Sequence, residues 1–202
     1  GSKRLHAITI NDGGGPFGPW LFVAAETGTA EFSGQISGSA GLSLAPGQVT
    51  TGKVKLSGSN TFTGPVALST GTELVVAGGS AIADSVNVAF NTSNGKLTLQ
   101  ANETLGSINS TTAVGSLSGT SVIDVASYTL TLGNDNNSAF AGQLSGSGNL
   151  VKNGTGTFTI ASSAANATSG NFSGTTSVNG GVLQLDGTLR GAVQIASGSK
   201  LA

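Results

Sequence analysis

The 202-residue sequence contains no cysteine and no methionine, and it has few charged residues. The lack of cysteine excludes disulfides and thiolate chemistry. Charged residues make up 8% of the chain, against about 25% in ordinary domains, and the formal net charge is −1. Nucleic acids and anionic membranes bind clustered Lys and Arg, so neither is an expected partner. No apolar run approaches the roughly 18 residues of a spanning helix, so we expect no membrane insertion.

Aromatic residues are also scarce, at 5%, whereas glycine reaches 33 of 202 residues. The apolar residues recur in pairs two positions apart, with Gly, Asn or Ser between the pairs. This pattern is typical of short β-strands joined by tight turns. Helical spacing is confined to a weak possibility at residues 80–84. The pattern predicts an all-β fold with a thin core of small branched side chains. Representative pairs are Leu42/Leu44, Val54/Leu56, Leu74/Val76, Leu97/Leu99 and Leu130/Leu132.

The chain contains an internal duplication, with copies at about residues 31–88 and 139–195. The offset between the copies is constant over their first part and shorter by one position further on, where Val86 recurs as Val193. Duplicated segments of short strands favour stacked coils over a sandwich, whose strands are longer and richer in aromatic residues. We predict a right-handed parallel β-helix, a solenoid of roughly eight to ten coils. Positions that recur at the constant offset are Phe32/Phe140, Gly34/Gly142, Gln35/Gln143, Ile36/Leu144, Ser37/Ser145, Gly38/Gly146, Ser39/Ser147 and Leu42/Leu150.

One stretch of the second copy carries a family motif, Gly-x-Gly-x-Leu-x-Lys-x-Gly-x-Gly-x-Leu. It resembles the autotransporter-associated β-strand repeat. An Asn-Phe-Ser-Gly turn at residues 171–174 and a closing strand at 181–185 follow, as in that family. The first copy keeps the turn at residues 60–64 but has Leu44 where the motif has lysine. The matching residues are Gly146, Gly148, Leu150, Lys152, Gly154 and Gly156, with Phe158 in the last apolar position.

The resemblance implies the passenger region of a Gram-negative autotransporter, displayed at the cell surface through a C-terminal barrel that these residues do not include. Such passengers mostly serve adhesion, autoaggregation or biofilm formation. The implied partners are a host-surface or matrix component, a glycan, or another copy of the chain. We divide the chain into a cloning scar (1–2), an N-terminal strand, loop and cap (3–29), and the β-helix (30–202). We therefore expect an excised piece of a longer polypeptide.

Three sequence patterns resemble cofactor or metal sites, but each lacks a feature that such a site requires. Residues 13–18 fit the dinucleotide pattern GxGxxG but lack the following helix that would hold a phosphate. Residues 47–54 nearly form a phosphate loop, but Val54 replaces the required hydroxyl, so we expect Lys53 and Lys55 on one exposed strand face. His6 is the only histidine, which excludes a zinc cluster built on several imidazoles. The prediction is no cofactor and no catalytic or structural metal. Calcium at the turns 11–13 or 133–136 is the alternative to simple turn capping.

Acidic residues bear on the alternative that the chain is a polysaccharide-binding or polysaccharide-degrading β-helix. Such enzymes need clustered carboxylates for acid–base chemistry. The acids here are scattered along the chain, which predicts no enzyme, although stacking could align Glu73 with Glu103. Three carboxylates in one groove, or two together with a Lys or Arg, would favour the enzymatic alternative. The acids are Asp12, Glu26, Glu31, Glu73, Asp84, Glu103, Asp124, Asp135 and Asp186.

Two surface features point to binding. Phe17, Trp20 and Phe22 are the densest aromatic group, and two interpretations stay open: a protruding contact patch, or a cap over the open core of the first coil. Residues 16–20 fit no strand and are expected to form a loop. Ser, Thr and Asn at outward positions predict ladders that could hydrogen-bond glycans or the same face of another molecule through many weak contacts. A passive stalk that assists secretion and folding is the remaining alternative.

Overall fold

A computed structural model describes residues 4–5, 8–10, 20–23, 28–44, 52–92, 94–110, 121–161 and 171–202. These residues form short β-strands and no helix, so they include none long and apolar enough to cross a membrane. The strands are β1 Arg4–Leu5, β2 Ile8–Thr9, β3 Trp20–Val23, β4 Thr29–Phe32, β5 Ile36–Ser37, β6 Gly41–Leu44, β7 Lys53–Leu56, β8 Val66–Leu68, β9 Glu73–Val76, β10 Asn87–Phe90, β11 Lys96–Leu99, β12 Glu103–Leu105, β13 Ser107–Ser110, β14 Val122–Asp124, β15 Thr129–Leu132, β16 Ser138–Phe140, β17 Gln143–Ser145, β18 Asn149–Lys152, β19 Thr157–Ile160, β20 Thr175–Val178, β21 Val182–Leu185, β22 Ala192–Ile195 and β23 Lys200–Leu201.

The strands stack in parallel columns, each strand pairing with the equivalent strand of the next coil. The largest column is a seven-stranded sheet in the order β1-β4-β7-β9-β11-β14-β17. The other sheets are β3-β6-β8-β10-β13, β12-β15-β18-β20-β22, β16-β19-β21-β23 and the pair β2-β5. The chain is therefore a parallel β-solenoid, as predicted. Its handedness stays a prediction from the crossover rule.

The solenoid has about seven coils, slightly fewer than the eight to ten predicted. The coils of the seven-stranded sheet are unequal, since the step from Arg4 to its partner Glu31 is longer than the step from Lys53 to its partner Glu73. Long connections between β6 and β7, β13 and β14, and β19 and β20 use residues that a tight corner would not. A uniform short coil therefore overestimates the number of coils.

Alternating residues of successive strands form inward-facing columns that fill the core. On the seven-stranded sheet, Val54, Leu74, Leu97 and Ile123 lie over one another in register and are at most 3% exposed. Phenylalanine is used more than predicted, because five of the eight in the chain are fully buried. The rings of Phe90 and Phe140 have centroids 5.1 Å apart. The fully buried phenylalanines are Phe62, Phe90, Phe140, Phe158 and Phe172.

The glycines of the repeat motif lie at corners where one coil crosses directly over the next. A Cβ at Gly154 would overlap the carbonyl oxygen of Asn134, and one at Gly174 would overlap the carbonyl oxygen of Gly148. Stacked coils are only about 4.8 Å apart, which leaves no room there for a side chain. The motif glycines thus permit close stacking of the coils.

Candidate functional site

The lysine of the repeat motif is a structural residue. Lys152 points inward from β18 and is 4% exposed, in register with Leu132 below and Val178 above. Its Nζ donates hydrogen bonds to the carbonyl oxygens of Gly154 at 2.5 Å and Gly180 at 3.0 Å, so it joins two successive corners. Burial lowers the pKa of Lys152, which nearby Asp135 partly opposes. An ammonium group bonded in this way is not available to a substrate.

In the first copy of the repeat, the equivalent core position is filled by an uncharged residue. Leu44 occupies the position equivalent to Lys152 and is 1% exposed in the core. Both side chains place an aliphatic stem in the tube, but only lysine reaches the corner carbonyls. An aliphatic stem in the core is therefore common to both copies at this position, and the charge is found only in the second copy.

Asn60 and Glu103 also face the core, from positions that alternate with apolar residues. Asn60 accepts a hydrogen bond from the backbone N–H of Ile36 at 2.7 Å and donates from Nδ2 to the carbonyl oxygen of Ala81 at 2.6 Å. It bridges three successive coils at one corner. Because strands are interrupted here by turns, side-chain groups satisfy backbone groups that a ladder would otherwise pair.

Glu103 continues this polar column one coil further. The residue is 2% exposed, and its carboxylate accepts hydrogen bonds from the backbone N–H groups of Ile82 at 2.7 Å and Ala81 at 3.3 Å. Burial raises the pKa of Glu103 to about 7, with a smaller contribution from the negative charge of Asp84, while the two backbone bonds oppose the rise. The alignment of Glu73 with Glu103 is wrong, because Glu73 lies on the outer face of a different sheet.

The outer face of the seven-stranded sheet carries the densest charge in the described part of the chain. Its charge alternates strand by strand: negative on β4, positive on β7, negative on β9, positive on β11 and negative on β14. We call this set the charged ladder. Its members are Glu31, Lys53, Lys55, Glu73, Lys96 and Asp124. Placement of Lys53 and Lys55 on one outward strand face was predicted and is confirmed, since Val54 between them points inward and is 3% exposed.

Neighbouring rungs of the charged ladder are joined by ion pairs. The Nζ of Lys53 lies 2.9 Å from Oε2 of Glu73, and the Nζ of Lys55 lies 3.6 Å from Oε1 of Glu31. Lys96 bridges two rungs, with its Nζ 3.3 Å from Oδ2 of Asp124 and 3.9 Å from Oε1 of Glu73. All members keep contact with solvent, from 17% side-chain exposure for Glu73 to 50% for Lys53. Exposed pairs of this kind contribute little to stability, about 0–1 kcal/mol each.

Two carboxylates of the charged ladder also accept hydrogen bonds from hydroxyl groups. Ser57 Oγ donates to Glu31 at 2.8 Å, and Thr98 Oγ1 donates to Glu73 at 2.9 Å. Part of the ladder lines a shallow groove of about 370 Å³, with buried Val75 among its lining residues. The groove lining is Thr29, Glu31, Lys53, Lys55, Glu73, Val75, Thr98 and Gln100.

Two carboxylates and two lysines share the groove, which is the arrangement expected for the enzymatic alternative. The two carboxylates do not lie on neighbouring strands. Glu31 and Glu73 lie on β4 and β9, with β7 between them, which separates their backbones by roughly 10 Å. They also occupy different columns, since Glu31 is in register with Lys55 and Glu73 with Lys53. Each carboxylate already accepts a hydrogen bond from a hydroxyl group and lies close to a lysine, so the groove offers several polar contacts side by side.

The predicted aromatic patch is only partly within the described residues. Phe17 lies outside them, and of Phe22 only the backbone in β3 is described. Trp20 was expected in a loop but begins β3, where it pairs with Gly41 of the next coil. Its ring covers Gly41, since a Cβ there would lie 2.6 Å from Cζ3 of the indole. Pairing in the sheet and the missing side chain of Gly41 explain this half-buried position. The contact patch stays a prediction.

The remaining candidate sites divide between described and undescribed residues. His6, the turn 11–13 and residues 13–18 lie outside the described part of the chain. In the turn 133–136, Asn134 caps the backbone N–H of Asn136 at 3.2 Å, and Asp135 accepts hydrogen bonds from the backbone and hydroxyl of Thr155 at 2.8 and 2.9 Å. These bonds lower the pKa of Asp135. The described residues contain no group of three or more His, Cys, Asp or Glu side chains that could hold a metal ion.

Comparison with known proteins identifies the repeat. The family described as "Passenger-associated-transport-repeat" matches residues 51–72 and 150–185, one stretch in each copy of the duplication. The chain is 32% identical over 156 residues to the protein named "Adhesin BmaC autotransporter" of Brucella suis biovar 1 (strain 1330). That alignment covers 77% of this chain and 4% of the adhesin, so the chain spans a small part of that relative's length. No solved structure matches the chain. The recognition of autotransporter passenger repeats from the sequence is confirmed.

Proposed function

We propose that this chain, which carries passenger-associated-transport repeats, is an adhesive, non-catalytic segment of a passenger displayed on the bacterial cell surface. In this proposal its long outer faces mediate adhesion or self-association, with a host-surface or matrix component, a glycan or another copy as partner. The observation that carries the proposal is the similarity to an autotransporter adhesin over 77% of the chain.

The arrangement of the charges supports this proposal. The polar groups that face inward, Asn60, Glu103 and Lys152, bond to the backbone and hold coils together. The charged ladder faces outward along several coils, which presents a row of weak contacts instead of one enclosed pocket. Many weak contacts acting together suit a surface-displayed adhesin, because linked contacts raise the effective concentration of the others.

Surface display tests the proposal. The chain is fused to an outer-membrane anchor in a bacterial host without adhesins of its own, and clumping and attachment to matrix-coated surfaces are counted. We expect more clumping or attachment than for the anchor alone. The control replaces the outward-facing residues of the charged ladder by Ser, which leaves the inward columns intact. Equal counts for the displayed chain and the bare anchor would refute the adhesive function and leave the passive stalk.

The groove on the charged ladder supports a second candidate, a polysaccharide-binding or polysaccharide-degrading site. Its carboxylates, ammonium groups and hydroxyls offer donors and acceptors to a sugar chain. Incubation of the purified chain with acidic and neutral polysaccharides, followed by measurement of new reducing ends, tests cleavage. Cleavage that disappears in both Glu31→Gln and Glu73→Gln would establish the enzyme. No cleavage, with retarded migration in an affinity gel, would leave binding alone.

A further inference from the structure

We infer that the charged ladder is a self-complementary surface whose partner is a second copy of this chain, docked face to face with its solenoid axis reversed. This inference rests on the proposed adhesive function and names the partner of its surface. The six charged side chains of the ladder are three lysines and three carboxylates, so they sum to zero, and β1 adds Arg4 in register with Glu31 at the end of the sheet. Alternating signs fit an equally alternating face better than they fit a partner of one sign.

The register of the sheet divides the outer residues into two columns. In the first, Lys53, Glu73 and Lys96 follow one another on β7, β9 and β11. In the second, Lys55, Val75, Thr98 and Asp124 follow one another on β7, β9, β11 and β14. The spacing between rungs is about 4.8 Å, the separation of neighbouring strands.

Symmetry then restricts the possible arrangements. Two identical molecules form a closed pair most simply about a twofold axis. If the two solenoid axes run in the same direction, every strand faces its own copy, and lysine strands meet lysine strands. If the axes run in opposite directions with the twofold axis on a strand, strands of like charge again meet. If the twofold axis lies between two neighbouring strands of the ladder, charged strands that meet carry opposite signs.

The columns place the axis between β9 and β11, because there two different pairs of opposite charges lie in matching columns, whereas an axis between β7 and β9 aligns only Lys53 with Glu73. A twofold axis parallel to the strands keeps each column opposite itself, so Glu73 faces Lys96 of the second copy, and Lys55 faces Asp124 of the second copy. Twofold symmetry doubles each contact. The side chains keep exposed surface for it, since Lys96 is 36% and Asp124 29% exposed despite their mutual ion pair. A carboxylate has about four lone-pair sites and an ammonium three donors, so the internal pairs can persist alongside the new ones.

Charge reversal tests the pairing in purified protein by sedimentation velocity. We expect a dimer at about 50 mM salt and an association constant lower by roughly tenfold at about 500 mM, where screening is strong. Lys96→Glu and Glu73→Lys should each be monomeric, because like charges then face each other across the twofold axis. An equimolar mixture of the two variants should associate again, since each copy supplies the charge the other needs. Damage within one chain cannot be repaired by mixing.

Lys200→Glu is the matched control, because it reverses an exposed lysine on β23, outside the ladder, and should dimerise like the parent chain. The second contact is tested in the same way: Lys55→Glu and Asp124→Lys should each be monomeric, and an equimolar mixture of the two should associate again.

Three results would overturn the inference: a parent chain that is monomeric at low salt, a mixture of reversed variants that stays monomeric, or equal dimer loss in the Lys200→Glu control. If displayed cells attach to a foreign surface while the purified chain is monomeric, the self-partner is refuted and the adhesive function stands. If neither attachment nor association occurs, both are refuted.

Discussion

Glu103 should make the stability of the solenoid fall as pH rises through the neutral range. Its carboxyl group is 2% exposed, and burial raises the pKa from 4.5 to about 7. The folded chain therefore binds this proton more tightly than the unfolded chain does. The contribution of Glu103 to the free energy of unfolding is greatest below about pH 4.5, decreases between pH 4.5 and about 7, and stays lower above that range. A shift of this size corresponds to ~3 kcal/mol between the two limits.

The substitution Glu103→Gln tests this reasoning, because glutamine keeps the shape and one acceptor oxygen but cannot ionise. Urea unfolding is measured by circular dichroism at intervals from about pH 4 to 9, with amide exchange at Ala81 and Ile82 as a local probe. We expect similar stabilities at acid pH and a more stable variant at alkaline pH, by up to ~3 kcal/mol. Asp186→Asn, which removes an exposed carboxyl group, controls for the loss of one acid. Parallel pH curves for the parent chain and the Glu103→Gln variant would refute the argument.

Three further pairs of substitutions test the core and the stacking of the coils. Lys152→Leu should lower the free energy of unfolding by ~1 kcal/mol, because it removes the two corner hydrogen bonds. Lys152→Ala should lower it by ~3 kcal/mol, because it also leaves a cavity. Both are measured by urea unfolding, and equal losses would contradict the importance of the aliphatic stem. Thr176→Val should raise the stability of the fold by ~1 kcal/mol, since the Thr176 hydroxyl is buried without a hydrogen-bond partner. The outward-facing control Thr175→Val should change the stability little, and thermal melts measure both. Gly174→Ala should cost more than Gly71→Ala, which meets open space and incurs only the ~1–2 kcal/mol of its positive φ; the reverse order in melting temperature would contradict close stacking at Gly174.

The alternation of residues along each strand was sufficient to predict the strands and their inward faces. Leu97 and Leu99 were predicted as a core pair and are at most 1% exposed. The same alternation contained a signal for the buried polar residues, since Asn60 lies two positions before Phe62 and Glu103 two before Leu105. Only apolar pairs were treated as core positions, so these two residues were missed. A polar residue in step with apolar ones is thus a candidate for a buried backbone cap.

The charged ladder could not be predicted from spacing, because it depends on the length of each coil. The interval from Lys53 to Glu73 differs from the interval from Glu73 to Lys96, and each includes corners whose length the sequence does not fix. A change of one residue in a corner would turn a charge from the outer face to the core or move it to another column. The coil count was too high for the same reason, since every coil was assumed to have roughly 20–25 residues, whereas steps such as that from Arg4 to Glu31 are longer.

The two sets of polar residues are subject to different physical constraints. An inward polar group has no water as an alternative partner, and leaving it unpaired costs about 1–3 kcal/mol, as for the Thr176 hydroxyl. Hydrogen bonds therefore tie Asn60, Glu103 and Lys152 to particular carbonyl and N–H groups. An outward charge has water as an alternative, so a change at Lys96 or Glu73 costs the fold little. The outer face can therefore vary its charge pattern while the coils stay the same. Loss of dimerisation in the reversed variants together with unchanged urea unfolding would demonstrate this separation of binding from folding.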